Sequence, residues 1–251
     1  MAGCRSEARR ARGCGGDLGL YLACALALAG VNVASADELK PFTASYAWIW
    51  HGMTVAVSHV ELQKGAGDLW SYRSRSEPRG IGRVFSERPT QLSVVRVTAS
   101  GTQPLSYNAS DGTSSTKRAI DVKYDWDKDR VTGVYENTPI DLPLRPDLQD
   151  DASVQVALMA KLLRGQQPDR FLLLNSKNDM REYSYIREGE TVLDTPIGKI
   201  PTIIYRSERQ WSSRVNRYWC APDRGYIPLR VQQKVGDDVQ WTMEIVSLTR
   251  E

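Results

Sequence analysis

Few side chains in this sequence are of a type that does covalent or metal chemistry. There are two histidines, His51 and His59, and four cysteines, Cys4, Cys14, Cys24 and Cys220. A structural zinc site needs four ligands and a catalytic one usually three. The histidines and Cys220 fall short unless carboxylates join them, and nothing in their spacing suggests it. A Cys220–His nucleophilic pair is the other formal arrangement. Cys220, however, follows Trp219 in an extended stretch that ends at a turn, where a lone cysteine serves packing. The sequence has no Gly-x-Ser-x-Gly, no phosphate-binding glycine loop and no His-Glu-x-x-His. Asp150-Asp151 stand where a helix can begin, the end that favours negative charge, and Asp237-Asp238 fall in a turn. The expectation is a non-enzymatic protein with no catalytic residue, metal or cofactor, with a hydrolase built on Cys220 or a histidine as the minor alternative.

Aromatic content is the stronger signal. All seven tryptophans, Trp48, Trp50, Trp70, Trp126, Trp211, Trp219 and Trp241, lie beyond residue 36. Each buries on the order of 150–250 Å², so filling the core of a curved sheet is their plainest use. The functional alternative is that some line a concave pocket for an apolar ligand. The candidate ligand-binding residues on that reading are Trp48, Trp50, Trp70, Tyr72, Trp126 and Trp219. Arg73, Arg75, Arg217 and Arg230 lie near them in sequence or pairing and could meet an acidic head group at a pocket mouth.

Such residues need elements to hold them, and the first 36 supply none. Arg5, Arg9, Arg10 and Arg12 precede an apolar run from Leu18 to Val33, and Ala34-Ser35-Ala36 offers small residues before Asp37. That is the layout of a secretory signal peptide cut after Ala36. The apolar run is shorter than the ~20 residues of a spanning helix. Arg9-Arg10 lacks the consensus of a twin-arginine signal, and Tyr21 stands where a lipidation box at Cys24 would want a branched aliphatic. Four arginines and two acids leave with the leader, so most of the formal charge of +3 goes with them. The near-neutral remainder gives no electrostatic case for nucleic acid. Cys220 alone stays, so no internal disulfide staples the fold.

From residue 37 onward the pattern is strand after strand, read as one domain. Phe42, Ala44, Tyr46, Trp48 and Trp50 alternate on one face before His51-Gly52, and Thr54–Gln63 returns. Leu69–Ser76, Val94–Thr98, Arg118–Trp126 and Arg130–Glu136 repeat the grammar, with turn residues between them. So do Phe171–Asn175, Arg181–Arg187, Glu190–Leu193, Lys199–Ser207 and Gln240–Thr249. Arg214–Val235 reads as a hairpin about Ala221-Pro222-Asp223-Arg224-Gly225, with Val215, Arg217 and Trp219 on one face and Ile227, Leu229, Val231 and Gln233 on the other strand. Pro139–Pro146 is extended, and Asn108–Thr116 is a polar loop. Asp150-Asp151 begin a helix from Ala152 to Leu163 that places Val154, Leu158 and Leu162 on one face, and Gly165 stops it. The expectation is a mainly β protein: an antiparallel curved sheet, half-barrel or open barrel, of about ten to twelve strands packed against one main helix.

The order of these features resembles a family of secreted bacterial proteins, domain of unknown function 3108. The resemblance rests on Gly101-Thr102-Gln103-Pro104-Leu105-Ser106-Tyr107, on Tyr124-Asp125-Trp126 and on the acid-led helix from Asp150 to Gly165. It rests also on Glu190–Gly198 after Gly189, and on Trp219–Asp223 with Pro228-Leu229-Arg230. It implies an antiparallel sheet curling around a helix, similar to the lipoprotein-carrier (LolA/LolB-like) folds, and implies no catalytic residue.

Together these readings give a periplasmic protein that takes a lipid or other apolar ligand, or a lipidated partner, in the concavity of its sheet. The alternative is an envelope assembly factor that binds another protein through a sheet edge.

Overall fold

The structure, a computed structural model, describes residues 38–84, 87–175 and 179–250. The leader reading and Cys24 lie outside these residues. Residues 36–251 form one compact unit. Its strands are β1 (Phe42–Trp50), β2 (Met53–Lys64), β3 (Leu69–Pro78), β4 (Thr90–Thr98), β5 (Gly101–Ser110), β6 (Ile120–Asp125), β7 (Arg130–Tyr135) and β8 (Thr138–Pro143). After β9 (Leu148–Gln149) and helix α1 (Ser153–Leu163) come β10 (Arg170–Asn175), β11 (Asp179–Thr195), β12 (Gly198–Glu208), β13 (Arg214–Ala221), β14 (Ile227–Val235) and β15 (Asp238–Arg250).

All fifteen strands form one sheet, β8-β7-β6-β5-β4-β3-β2-β1-β15-β14-β13-β12-β11-β10-β9. Two antiparallel meanders meet where β1 pairs with β15, and the β9–β10 pair alone is parallel. The strand number exceeds the expected ten to twelve. Two of the unforeseen strands carry weak signals: β8 contains Pro139 and Pro143 and lies at the sheet edge, where missing donors are tolerated, and β9 is two residues long. Conversely, Arg181–Arg187 and Glu190–Leu193 are one strand, β11, whose register slips between Arg187 and Gly189.

The helix explains the curl. Eight of its eleven residues are apolar, and it is buried nearly all round, so a partner is needed on every side. Val154, Leu158 and Leu162 pack with Phe171, Tyr185, Tyr205, Tyr218 and Val231, from β10 to β14. The opposite face was not expected to be buried, yet Val156 and Met159 join the inner residues of β1–β7, among them Tyr46, Leu62, Val95 and Val122. One sheet can touch both faces of a helix only by wrapping round it.

Asp150 fixes the helix start. Its Oδ1 accepts the backbone N–H of Ala152 (3.0 Å) and Ser153 (2.7 Å), while Ser153 Oγ accepts the Asp150 N–H (2.8 Å). This reciprocal cap satisfies the Ala152 and Ser153 donors, and the Val154 and Gln155 N–H groups bond the Asp150 and Ala152 carbonyls. Ser93 Oγ on β4 donates to Asp150 Oδ2 at 2.9 Å, tying the helix to the sheet. At the other end Gly165 takes φ 69° and donates to the Leu162 carbonyl, as a left-handed C-terminal stop does.

The hairpin β13–β14 corrects one phase. Ile227, Leu229 and Val231 face inward as expected, but the buried face of β13 carries Tyr218 and Cys220. Arg217 pairs with Glu188, and Trp219 lies half-buried beneath the Arg230 guanidinium, 5.6 Å from its ring. Alternation along β13 is unbroken; at the register shift between Trp219 and Cys220 the extra residue is Leu229 on β14, and it is the phase of the whole of β13 that is opposite to the expected one.

Candidate functional site

The inner face of the sheet changes character along its length. Toward the helix it carries Val60 and Leu62 on β2, Trp70 and Tyr72 on β3, Val95 on β4 and Tyr107 on β5. The same faces continue past the helix N-terminus as Ala56 and Ser58, Ser74 and Ser76, Gln91, and Ala109. Small side chains replace large ones on adjacent strands, and α1 does not reach them. The space they leave is a cavity of about 790 Å³. Most specific small-molecule sites occupy roughly 300–1,000 Å³.

Trp48 and Trp241 form one wall, from paired strands β1 and β15, with ring centroids 4.7 Å apart. Trp48 Nε1 donates to Ser58 Oγ, which bonds Ser76 Oγ in turn, so the indole's polar atom is satisfied and its face stays available. Trp50 extends the wall toward the mouth. Gln233 and Gln240 add polar groups, and Gln233 is held by Asn216 Oδ1 at 3.0 Å. The opposite rim comes from the segments before β4 and after β5. There Arg118 pairs with Glu87 at 2.7 Å, and hydrogen bonds from Thr113 hold the Asp111 carboxyl below its ordinary range. Gly82 is required where the 3-10 turn Gly80–Val84 crosses β2, since a Cβ there would lie 2.0 Å from the Val55 carbonyl oxygen. The lining is thus indole, small side chains and amides, with one ion pair at its margin. It suits an apolar body with at most a small polar end.

Of the sequence-derived candidates, Trp48 and Trp50 lie in this cavity. Trp70 and Tyr72 are buried in the core at the helix end. Trp126 stands at that end too, its Nε1 donating to the Pro104 carbonyl at 2.7 Å, and borders a separate recess of about 480 Å³ with Gln149 and Lys161. Trp219 is half-buried against the core cluster, beneath Arg230, and does not line this cavity. None of Arg73, Arg75, Arg217 and Arg230 lines the cavity; Arg118 does. Trp241 on β15 was missed, and so were Ala56, Ser74 and Ser76, whose signal is legible afterwards as small residues continuing the inner face of β2 and β3.

The reactive side chains are dispersed. His59 Nδ1 meets Ser45 Oγ on the outer face, and His51 sits at the β1–β2 tip against Trp50. Cys220 is wholly buried, which pushes its thiol far above the ordinary range. Among the described residues no group of three or more His, Cys, Asp or Glu is placed to hold a metal ion. No described helix is long and apolar enough to cross a membrane.

A crystal structure of a beta-barrel-like protein of domain of unknown function DUF1849 from Brucella abortus has the same overall fold, with a TM-score of 0.56 over 86% of this chain and 99% of that one, at 11% identity. Two weaker likenesses are the complex of Pseudomonas aeruginosa MucA/MucB (TM-score 0.39, 11% identity, 86% of this chain and 53% of that) and a putative exported protein with YmcC-like fold from Bacteroides fragilis (0.38, 9%, 84% and 97%). A search of curated proteins finds no match. The sequence pattern described as "Protein of unknown function (DUF3108)" matches residues 41–244, most of the chain, and so the chain belongs to the DUF3108 family.

Proposed function

We propose that this protein is a non-enzymatic carrier or receptor of the cell envelope, exported to the periplasm by a leader cut after Ala36. It holds an apolar ligand, an acyl chain or the lipid of a lipidated partner, in the cavity at the open end of its concave sheet. The single observation that carries this reading is the 790 Å³ cavity walled by Trp48, Trp50 and Trp241, with small side chains opposite. Apolar contact at ~25 cal/mol per Å² supplies the affinity.

Titrating residues 36–251 with a brominated acyl probe tests it. Quenching of tryptophan emission that saturates, and that weakens in Trp48→Ala, is expected. A chain resting on one indole face loses on the order of 60 Å² of contact in that variant, about 1.5 kcal/mol or tenfold in affinity. Equal affinity in wild type and variant would remove the cavity from consideration. N-terminal sequencing of protein from a periplasmic extract is expected to read Asp37 first.

A second reading, an assembly factor acting through a sheet edge, has one observation in its favour. β10 pairs with β11 only as far as Ser184, so among the described residues Ile186–Thr195 has a strand on one side alone. Recovery of a partner whose binding is lost on Val192→Pro, with no acyl-probe binding, would favour that reading.

A further inference from the structure

Ten large apolar side chains stand exposed among the described residues: Trp50, Met53, Ile81, Val84, Val134, Ile186, Val192, Trp211, Val239 and Val246. Register places six of them at one end of the sheet. Trp50 and Met53 are paired neighbours at the β1–β2 tip. Val239 sits at the β14–β15 tip, where Val235 pairs with Asp238, and Trp211 in the β12–β13 turn, where Glu208 pairs with Val215 and Arg214 with Val235. Ile81 and Val84 belong to the 3-10 turn that follows Arg79, whose N–H donates to the Val55 carbonyl beside that same end of β2. This end is the mouth of the Trp-lined cavity. Trp211 is 95% exposed and its backbone sits at φ 62°, a left-handed conformation that a tryptophan adopts only under local constraint.

We infer that this ring of hairpin tips is a membrane-docking rim, which seats the cavity mouth on a lipid surface bearing anionic headgroups. This rests on the apolar-ligand reading above. Three observations favour a bilayer over a folded protein as the occupant. The apolar side chains sit on separate tips around an opening, so each can dip among headgroups, whereas a protein partner needs a packed patch. Two of the six are tryptophans, Trp211 being the most exposed of all, and their amphipathic rings settle at the membrane–water interface. The same tips carry Arg83, Arg209, Arg214 and Lys234, which have no ion pair among the described residues, against Asp237 and Asp238. An excess of cations beside interfacial tryptophans is the pairing that anionic lipid attracts.

The test is flotation of residues 36–251, the compact unit that carries the sheet, the helix and both core clusters. Vesicles are phosphatidylcholine alone, or phosphatidylcholine with about one third phosphatidylglycerol, and the comparison is wild type against Met53→Ser/Trp211→Ser. Neither residue lines the cavity. Expected are binding to the anionic vesicles, at least about threefold weaker on the neutral ones and in high salt, and a further loss of about fivefold in the double variant. Acyl-probe affinity should stay within twofold of wild type, and Val134→Ser/Val192→Ser should bind vesicles normally. Ile81→Ser/Val84→Ser serves as a second rim variant should the first prove unfolded by circular dichroism. No flotation of the wild type, or equal flotation of the rim variants, overturns the proposal. Equal binding to both vesicles overturns its electrostatic part. Crosslinking of Trp211 to an envelope protein without vesicle binding gives the rim to a protein instead. Probe binding without flotation sinks the rim alone; loss of probe binding in the wild type sinks the cavity reading.

Discussion

Asp150 offers a stringent check on how the helix plugs the sheet. Its carboxyl is 1% exposed, and burial pushes its pKa from 3.8 up to about 7, overcoming the opposing pull of the Ser153, Ser93 and Ala152 hydrogen bonds; Asp151 raises it further. A folded-state pKa above the unfolded one means that folding favours the protonated acid. The stabilisation is therefore complete below pH ~4 and is lost as pH rises through 7. A rise from 3.8 to about 7 corresponds to about 4 kcal/mol in all, somewhat more than half of it between pH 5 and 8. In the protonated form Oδ1 still accepts from Ala152 and Ser153, while Oδ2–H donates to Ser93 Oγ. Asp150→Asn reproduces that arrangement with its amide, so it should match wild type within about 1 kcal/mol at pH 5 and exceed it by about 2 kcal/mol at pH 8. Asp150→Ala strips two backbone donors of their acceptor and the buried Ser93 hydroxyl of its partner. It should lose about 3 kcal/mol at pH 5, cap and unsatisfied donors together. Urea unfolding of residues 36–251 at both pH values measures all three. If wild type and Asp150→Asn show the same slope with pH, the carboxyl is ionised in the fold and this reasoning fails.

Three further outcomes follow from the packing. Cys220, buried against Tyr205 and Tyr218, should resist thiol reagents for hours in the native protein and react at once in denaturant. Fast native labelling would mean that the second core cluster opens. Gly133→Ala puts a Cβ 2.1 Å from the Asp121 carbonyl oxygen at φ 141°, so urea titration should show a loss of about 3 kcal/mol as β6 and β7 part. An unchanged midpoint would contradict the observed closeness of those strands. Ala109→Phe, on the cavity wall, should lower acyl-probe capacity while leaving thermal stability within a few degrees of wild type; retained capacity would place the ligand elsewhere.

The β class and the helix were legible because periods of 2 and 3.6 survive in single segments. The stripe Val154, Leu158, Leu162 gave one helix face; its counterpart, Val156 and Met159, shows only when the sheet is seen to wrap. The site was half legible for a topological reason. β1 and β3 both run antiparallel to β2 and so in the same direction, and Trp48 and Trp50, late in β1, fall at the open end while Trp70 and Tyr72, early in β3, fall at the helix-filled end. Aromatic content alone does not say which end. The small residues do: Ala56 on β2, then Ser74 and Ser76 on β3, mark on adjacent strands where the core thins out. The phase of β13 was illegible because both of its faces carry apolar side chains, Val215 and Trp219 on one and Tyr218 and Cys220 on the other, so alternation alone does not say which is buried.

Native mass spectrometry of the protein released from the periplasm without detergent bears most directly on the Trp-lined cavity. A co-purifying mass of lipid size is expected, displaced by the acyl probe and depleted in both Trp48→Ala and Ala109→Phe. Clean apo-protein in repeated preparations, together with unquenched tryptophan emission on adding the probe, would contradict the role assigned to the cavity.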